Sequence, residues 1–247
     1  MNGLPQGITP EAPPLQGPVL FDQRWLDATF IHWGVAPHYV RPLLPPGTRP
    51  DVVAGRTFVG LIAFRMAGLG VGRGLPLPYL GRFPEINVRL YSVDDQGRHG
   101  VVFRSLEATR LISVLAGRWG YRVPYTWARM RVRQRGNRWE YRSRRRMPLP
   151  EVRTRIVVDV GDQIEPTPLD HFLTARWGLH SYVAGRTLWT PNEHEPWPLH
   201  SARIVALEDS LVPAAGVPVG GRPNVPVLWS PGVHTVFGLP EVVHEGP

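Results

Sequence analysis

The chain has 247 residues with a formal net charge of +8, and its 28 prolines and 26 glycines are typical of many short elements joined by turns. It contains no cysteine, which excludes disulfides, thiolate metal sites and a cysteine nucleophile. All 28 basic residues are arginine, so a Schiff base through a lysine amine is excluded as well.

No stretch approaches the roughly 20 apolar residues that a membrane helix needs, and residues 1–19 lack the basic and apolar regions of a signal peptide. We therefore expect a cytoplasmic protein with no membrane partner. Residues 1–19 are interpreted as a flexible proline-rich lead-in, and residues 20–247 as a single domain, because no linker or internal repeat divides them.

In chain order, the patterns predict short helices at 37–45, at 108–119 and from Pro168 onward, where Asp170 is a candidate cap. Two hairpins are predicted around the turns 94–100 and 135–137. The predicted strands lie at 57–66, 85–93, 101–108, 127–134, 138–145, 153–160, 181–190, 200–208 and 225–237. This order predicts an α+β protein, mainly antiparallel β, built on a closed or strongly curved sheet.

The stretch 84–91, PEINVRLY, predicts a strand with two unlike faces. Glu85, Asn87, Arg89 and Tyr91 alternate with three aliphatic residues, so the two sets point to opposite sides. The polar face either meets water or lines an enclosed cavity. Residue types alone leave both interpretations open.

The pairing of 85–92 with 101–108 bears on this choice, because register decides which side chains share a face. If the paired residue numbers have an even sum, Glu85 and Glu107 share a face, with Arg104 as the one exception to the match in polarity. In a dry cavity, two such carboxylates form a proton-transfer pair, and Arg89 is placed to hold an anionic substrate. A buried polar network without catalysis fits equally well.

Two other segments carry weaker signals. The arginine-rich stretch 129–146 includes Arg129, Arg131 and Arg133 on one strand face, which suits nucleic-acid phosphates, but a solvated face is favoured. His194, Glu195 and His200 fit no standard metal-ligand spacing, so turn and surface residues are favoured over a metal site.

Seven motifs occur in an order that resembles the YqjF-like family of uncharacterised bacterial proteins, which is similar to the acetoacetate decarboxylase superfamily. The resemblance covers about residues 20–240 and is carried by FIHW (30–33), RPLLPPG (41–47), FPEINVRLY (83–91), VVFRSLEA (101–108), VPYTWARM (123–130), DHFLTARW (170–177) and HEPWPLH (194–200). It implies a cone-shaped antiparallel β-barrel with short flanking helices, a small-molecule site in its interior, and relatives that form homo-oligomers.

The resemblance to the decarboxylases is incomplete. Their strand with an essential glutamate resembles the one that carries Glu85, but Tyr125 stands where their Schiff-base lysine is expected. Lysine-dependent decarboxylation is therefore excluded.

The favoured hypothesis is an enzyme of lyase or isomerase type that acts without a cofactor or metal on a small anionic or carbonyl compound. Glu85 is the expected acid–base group, Glu107 tunes it and Tyr125 donates to a developing enolate. Arg89 is expected to bind the anion, with Asn87, Tyr91 and His32 as further binding residues. A non-catalytic small-molecule binder is the alternative, and nucleic-acid binding ranks third.

Overall fold

Thirteen strands hydrogen-bond into one continuous sheet in the computed structural model, which describes residues 7–74, 81–109, 125–146, 151–217 and 219–245. The strands are β1 (Phe21–Val35), β2 (Thr48–Pro50), β3 (Thr57–Val71), β4 (Phe83–Asp94), β5 (His99–Ala108), β6 (Tyr125–Arg135), β7 (Arg138–Arg145), β8 (Arg153–Gln163), β9 (Gly178–Val183), β10 (Arg186–His194), β11 (His200–Asp209), β12 (Val227–Phe237) and β13 (Glu241–Glu245).

The helices within this part of the chain are short: α1 (Pro37–Val40), a 3-10 turn (Arg41–Leu43), α2 (Pro168–Thr174) and α3 (Leu211–Ala214). Asp170 was predicted to cap α2, but the actual N-cap lies one turn earlier in the chain. Thr167 is the N-cap, and Asp170 is the third helical residue, whose side chain bonds back to the Thr167 backbone N–H at 2.8 Å. This capping box fixes the start of the helix.

The sheet closes twice. Nine strands form a large barrel in the order β1, β3, β4, β5, β6, β7, β8, β11, β12, closed by pairings of β5 with β4 and of β12 with β1. A second ring, called here the small barrel, runs through β12, β1, β3, β4, β5, β9 and β10. It closes where Val101 pairs with Leu179 and where β10 pairs with β12.

Five strands, β12, β1, β3, β4 and β5, therefore form a wall shared by both barrels. Because successive side chains on a strand alternate faces, each shared strand contributes to both interiors. The large barrel is filled by an apolar cluster that draws on its strands all the way round and includes Ile31, Leu61, Ile86, Val88, Leu90, Val102, Tyr141, Ile156, Val158 and Trp229. The small barrel holds the opposite faces, with Phe172 and Leu173 of α2 packed inside it.

Most predicted elements are confirmed with shifted ends. The two hairpins appear as β4–β5 and β6–β7, and the 181–190 strand is in fact the hairpin β9–β10, which turns at Ala184 and Gly185. Strands β1, β2 and β13 and helix α3 had no prediction. The helix predicted at 108–119 lies almost entirely outside the described residues. The mainly antiparallel α+β fold class is confirmed.

Residues 7–20 form no helix or strand, but they contact the small barrel. Ile8 is buried in its core, and the backbone N–H of Leu15 donates to Glu193 at 2.8 Å. Among the described residues, none of the helices is long and apolar enough to cross a membrane.

Candidate functional site

The polar face of β4 is enclosed by the small barrel. Glu85 and Asn87 are buried, with only 2% and 3% of their surface exposed. Asn87 Nδ2 donates to Glu85 Oε1 at 3.4 Å, while Asn87 Oδ1 has no hydrogen-bond partner among the described residues. Burying a polar group without a hydrogen bond costs free energy. The unpartnered Asn87 oxygen therefore lowers the stability of the fold.

Arg89 and Tyr91 continue the same face and bind the carbonyl oxygen of Leu173, the penultimate residue of α2. Arg89 Nη2 and the Tyr91 hydroxyl donate to this oxygen at 2.8 and 3.0 Å. Arg89 Nε donates to Tyr91 Oη at 3.1 Å, and His32 Nε2 lies 2.7 Å from the same oxygen. The network ties the shared wall to the helix inside the small barrel.

These bonds fix the protonation of His32. The Tyr91 hydroxyl donates its hydrogen to the Leu173 carbonyl. Its oxygen therefore accepts hydrogen bonds from both Arg89 and His32, and Nε2 of His32 carries a hydrogen. Burial, helped by the charges of Arg89 and Arg176, holds the pKa of His32 well below its ordinary value. The ring is therefore neutral, and its Nδ1 lone pair is buried with no partner in the described part of the chain.

Arg176, which follows the C-terminus of α2, also holds this helix in place. Arg176 forms an ion pair with Asp51, donates from Nε to the Phe172 carbonyl at 2.7 Å, and lies 4.8 Å above the Tyr91 ring. His99 Nδ1 also bonds Asp51, at 2.8 Å. The arginine therefore fixes α2, and with it the Leu173 carbonyl that holds Arg89.

Glu107 does not join Glu85. The predicted even register holds from Arg89 onward, but it is wrong before that point, where Glu85 pairs with Ala108 and Ile86 with Glu107. A β-bulge between Val88 and Arg89 makes the change and leaves Arg104 as the extra residue. Glu107 consequently shares the aliphatic face of β4 and points into the large barrel.

Glu107 belongs to a separate polar cluster there. It is 0% exposed, accepts a short hydrogen bond from Ser143, and pairs with Arg145 Nε at 3.0 Å. Arg145 also donates to Ser105 at 3.3 Å. Burial raises the pKa of Glu107, against the opposing effects of Ser143 and Arg145. Its contacts are those of a buried structural ion pair.

Tyr125 is the first residue of β6, and its backbone pairs with Leu106 of β5. Its side chain lies outside the part of the chain that the structure describes. Its role as a hydrogen-bond donor stays a prediction.

His194 was missed as a site residue. The expected surface position is wrong for this side chain, which is 6% exposed and lies 4.6 and 5.4 Å from the rings of Trp177 and Trp197. Its Nδ1 donates to the Glu195 carbonyl at 2.7 Å, so Nε2 carries the lone pair. Burial, with a smaller contribution from the Arg89 charge, lowers the pKa of His194 to about 4. His194 was not predicted as a site residue because its sequence does not show that it ends β10, the strand that closes the small barrel.

The other sequence candidates are placed as follows. No three His, Asp or Glu side chains gather into a metal-binding group among the described residues. The arginine-rich hairpin faces solvent and is partly compensated by acids: Glu140 pairs with Arg142 and Arg155, and Glu151 with Arg144 and Arg153. Nucleic-acid binding by this surface stays a prediction.

A Ser–His–Asp arrangement also occurs in the fold. Ser92 Oγ lies 2.9 Å from His180 Nδ1, and His180 Nε2 lies 3.4 Å from Asp94. All three are buried, and Arg98 also bonds Asp94 at 2.7 Å. Against the effect of burial, the hydrogen bonds from His180 and Arg98 hold the pKa of Asp94 below its usual range. With the serine fully buried, this group braces β4 against β9.

A small cleft opens beside α2. Its walls come from the lead-in, from α2 and its C-terminal residues, and from the loop after β10: Pro10, Pro166, His171, Thr174, Ala175, Trp177, Pro196, Trp197 and Leu199. None of the polar residues of β4 lines this cleft.

Comparison with known proteins gives consistent matches. Residues 22–234 match the family DUF2071, described as an uncharacterized conserved protein (COG2071). The uncharacterized protein YqjF of Bacillus subtilis (strain 168) is 28% identical over 198 residues, which span 79% of this chain and 81% of YqjF.

Solved structures match over nearly the whole chain. The enduracididine biosynthesis enzyme MppR complexed with pyruvate has a TM-score of 0.65 at 14% identity, covering 94% of this chain and 93% of MppR. Acetoacetate decarboxylase from Legionella pneumophila has a TM-score of 0.64 at 13% identity, covering 95% and 92%. At such identities the likeness shows the fold, which is the acetoacetate decarboxylase-like barrel.

Proposed function

The chain belongs to the DUF2071 family, as its resemblance to YqjF-like proteins indicated, and from this premise we propose that it is an enzyme. Its small barrel would bind a small carboxylate or carbonyl compound and catalyse proton transfer at the carbon next to the carbonyl. Many lyase and isomerase reactions of such compounds use proton transfer of this kind.

One observation carries the proposal: a carboxylate, an amide and a guanidinium stand at alternate positions of one strand, inside a closed ring. Glu85 would take the proton, and Arg89 would hold the substrate carboxylate. In a site that excludes water these electrostatic interactions are stronger than in bulk solvent, and little reorganisation is needed during the reaction.

The remaining roles follow from the chemistry of the groups. The Asn87 amide would orient Glu85, while His32 and Tyr91 would hold the guanidinium of Arg89 in place. Tyr125 is proposed to donate a hydrogen bond to the enolate oxygen. Because the chain has no lysine, the enolate would form without an imine, and the negative charge would be stabilised by hydrogen bonds alone.

The same contacts also suit a protein that binds an anion without converting it. A buried carboxylate held by a neighbouring amide is stable in a resting network, so geometry favours neither outcome by itself. Binding and turnover must therefore be measured separately.

The experiment follows hydrogen–deuterium exchange at carbon. Pyruvate, 2-oxobutyrate and acetoacetate are incubated in D₂O with the protein, and loss of the α-proton signal is monitored by NMR while binding is measured by calorimetry. Glu85→Gln should lower the exchange rate by about 10²- to 10⁴-fold, the usual contribution of an acid–base group, and keep ligand affinity. Glu208→Gln, at an exposed carboxylate on β11, is the control.

Exchange that continues in Glu85→Gln would remove Glu85 as the base. Binding without exchange for every probe, in the unsubstituted protein, would support the non-catalytic alternative.

A further inference from the structure

We propose that the outer face of strand β6 binds the phosphate backbone of double-stranded nucleic acid without reading its base sequence. This surface lies outside the large barrel, so it is independent of the function proposed for the small barrel. Three observations carry the proposal: a row of arginines without counter-ions, like charges held opposite one another, and aromatic rings that are not free to stack on bases.

The charged feature is a row of four exposed arginines at alternate positions of β6, called here the β6 row: Arg129, Arg131, Arg133 and Arg135. Met130 and Val132, which lie between them, pack against the apolar cluster of the large barrel. The arginines therefore point outward to solvent. Alternate residues on a strand are about 6.8 Å apart, so the row is roughly 20 Å long.

The β6 row has no counter-charge within the described part of the chain. All 20 Asp and Glu residues of the sequence lie in that part, and the ion pairs they form go to other arginines. Glu140 is opposite Arg133 in the strand register, but its carboxylate pairs with Arg142 and Arg155 at 2.7 and 2.9 Å. The four guanidinium groups of the row thus keep their donors for an external anion.

The strand register also places arginine opposite arginine. Two rows of three cross strands β6, β7 and β8: Arg129, Arg144 and Arg153 in one, and Arg131, Arg142 and Arg155 in the other. Like charges directly opposite each other on neighbouring strands are destabilising. Glu140 and Glu151 offset this repulsion on β7 and β8. A bound polyanion would offset it on β6, where planar guanidinium groups match phosphate oxygens.

The aromatic side chains near the row indicate which polyanion fits. Trp139 and Tyr141 of β7 point into the large barrel and are only 6% and 1% exposed, so neither can stack on a base. Trp127, at the start of β6, is partly buried, and the Arg146 guanidinium already lies 4.3 Å over its ring.

These positions favour a duplex over the other polyanions. Binding of single strands relies on base stacking, and docking on a membrane surface relies on apolar side chains that enter the lipid. The backbone of a duplex is bound through its phosphates by cationic side chains alone. The β6 row supplies four such cations in line.

The test measures binding of the full chain to a fluorescent DNA duplex of about 20 base pairs, two helical turns, by anisotropy between 50 and 200 mM NaCl. Each neutralised phosphate contributes about −0.9 to the slope of log K against log salt concentration. Four contacts therefore predict a slope near −3.6, and an affinity about 150-fold lower at the higher salt concentration. Arg131→Gln combined with Arg133→Gln should make the slope shallower by about 2, equally for duplexes of unrelated sequence.

Arg24→Gln combined with Arg49→Gln is the matched control, because it removes the same charge from two exposed arginines on β1 and β2. This variant should keep the slope of the unsubstituted protein. An equal loss in both double variants would assign the binding to net charge and overturn the site. Tighter binding to the single strand, or binding to phosphatidylserine vesicles without binding to the duplex, would overturn the proposed partner. No duplex binding at 50 mM NaCl would show that the β6 row is a solvated face.

Discussion

The two faces of β4 serve two interiors of different character. Ile86, Val88 and Leu90 pack into the large barrel among aliphatic and aromatic side chains, and the polar group there, Glu107 with Arg145 and Ser143, satisfies its own hydrogen bonds. Glu85, Asn87 and Arg89 line the small barrel, where His32 and Asn87 keep unpartnered polar atoms among the described residues. Satisfied polar groups stabilise a fold, whereas unsatisfied ones are available to a ligand.

The largest effect on stability is expected from Glu107→Leu in the large barrel. The substitution leaves the mostly buried Arg145 without its counter-ion, which should cost about 3–5 kcal/mol of unfolding free energy. Urea denaturation measures the loss. Carboxylate binding in the small barrel should be unchanged in the folded fraction, because Glu107 points away from it.

The double variant Glu107→Leu with Arg145→Met provides the control. Replacing both charges with apolar groups should recover most of the stability. If Glu107→Leu instead stays stable and loses ligand affinity, Glu107 belongs with Glu85 and the division between the barrels is wrong.

The second effect is a pH dependence whose sign differs between the two barrels. Burial raises the pKa of Glu107, so the folded protein holds that proton more tightly, and this contribution to stability falls as pH rises through the folded pKa. The pKa of His194 is lowered to about 4 from 6.5, so the unfolded chain takes up the proton first, and stability is lost as pH falls from 6.5 toward 4.

For His194 the shift corresponds to about 3 kcal/mol across that range. His194→Gln should lower stability near neutral pH but flatten the slope between pH 6.5 and 4, so that the two curves of urea midpoints converge or cross toward pH 4. His32 and His180 remain in both proteins, so the difference between the two curves isolates His194. Parallel curves would mean that His194 is not buried as a neutral ring.

Alternation alone predicted that β4 has one polar and one aliphatic face, because a period of two is fixed by strand geometry. Enclosure of the polar face was indicated only by the proposed register and the family resemblance. The prediction failed at the register of Glu107, since one extra residue in a bulge exchanges the faces beyond it. Arg104 was the exception in the predicted pairing, and it is the bulged residue. A charged residue that breaks an otherwise consistent pattern is thus a usable signal for a bulge.

Other features depended on long-range closure and were not predictable locally. His194 lies in a segment of prolines and charged residues that is typical of a loop, and only the pairing of β10 with β12 encloses it. The shared wall lines two barrels because β9 pairs with β5, and these strands are far apart in the chain. Seven motifs in order indicated the fold, whereas composition and periodicity reached only its class.

The smallest effect is expected from Gly60→Ala, which alters one face of the shared wall and leaves the other unchanged. Gly60 pairs with Arg89, and a Cβ there would lie 3.1 Å from Arg89 Cγ and 3.2 Å from His32. Both side chains must move by a few tenths of an ångström. Pyruvate affinity should fall about three- to tenfold, near 1 kcal/mol, while the restriction of the unfolded chain by alanine, about 0.4–1 kcal/mol, offsets the cost of these small shifts in the unfolding free energy.

Gly34→Ala on β1 is the matched control for this prediction. Its new Cβ would meet Arg56 at 3.3 Å, a similarly tight contact on the same wall, and the nearest atoms include neither Arg89 nor His32. A loss of affinity in both variants would point to a general distortion of the wall. A loss confined to Gly60→Ala, with stability kept, would show that ligand affinity depends on where the wall holds Arg89, independently of how firmly the large barrel is packed.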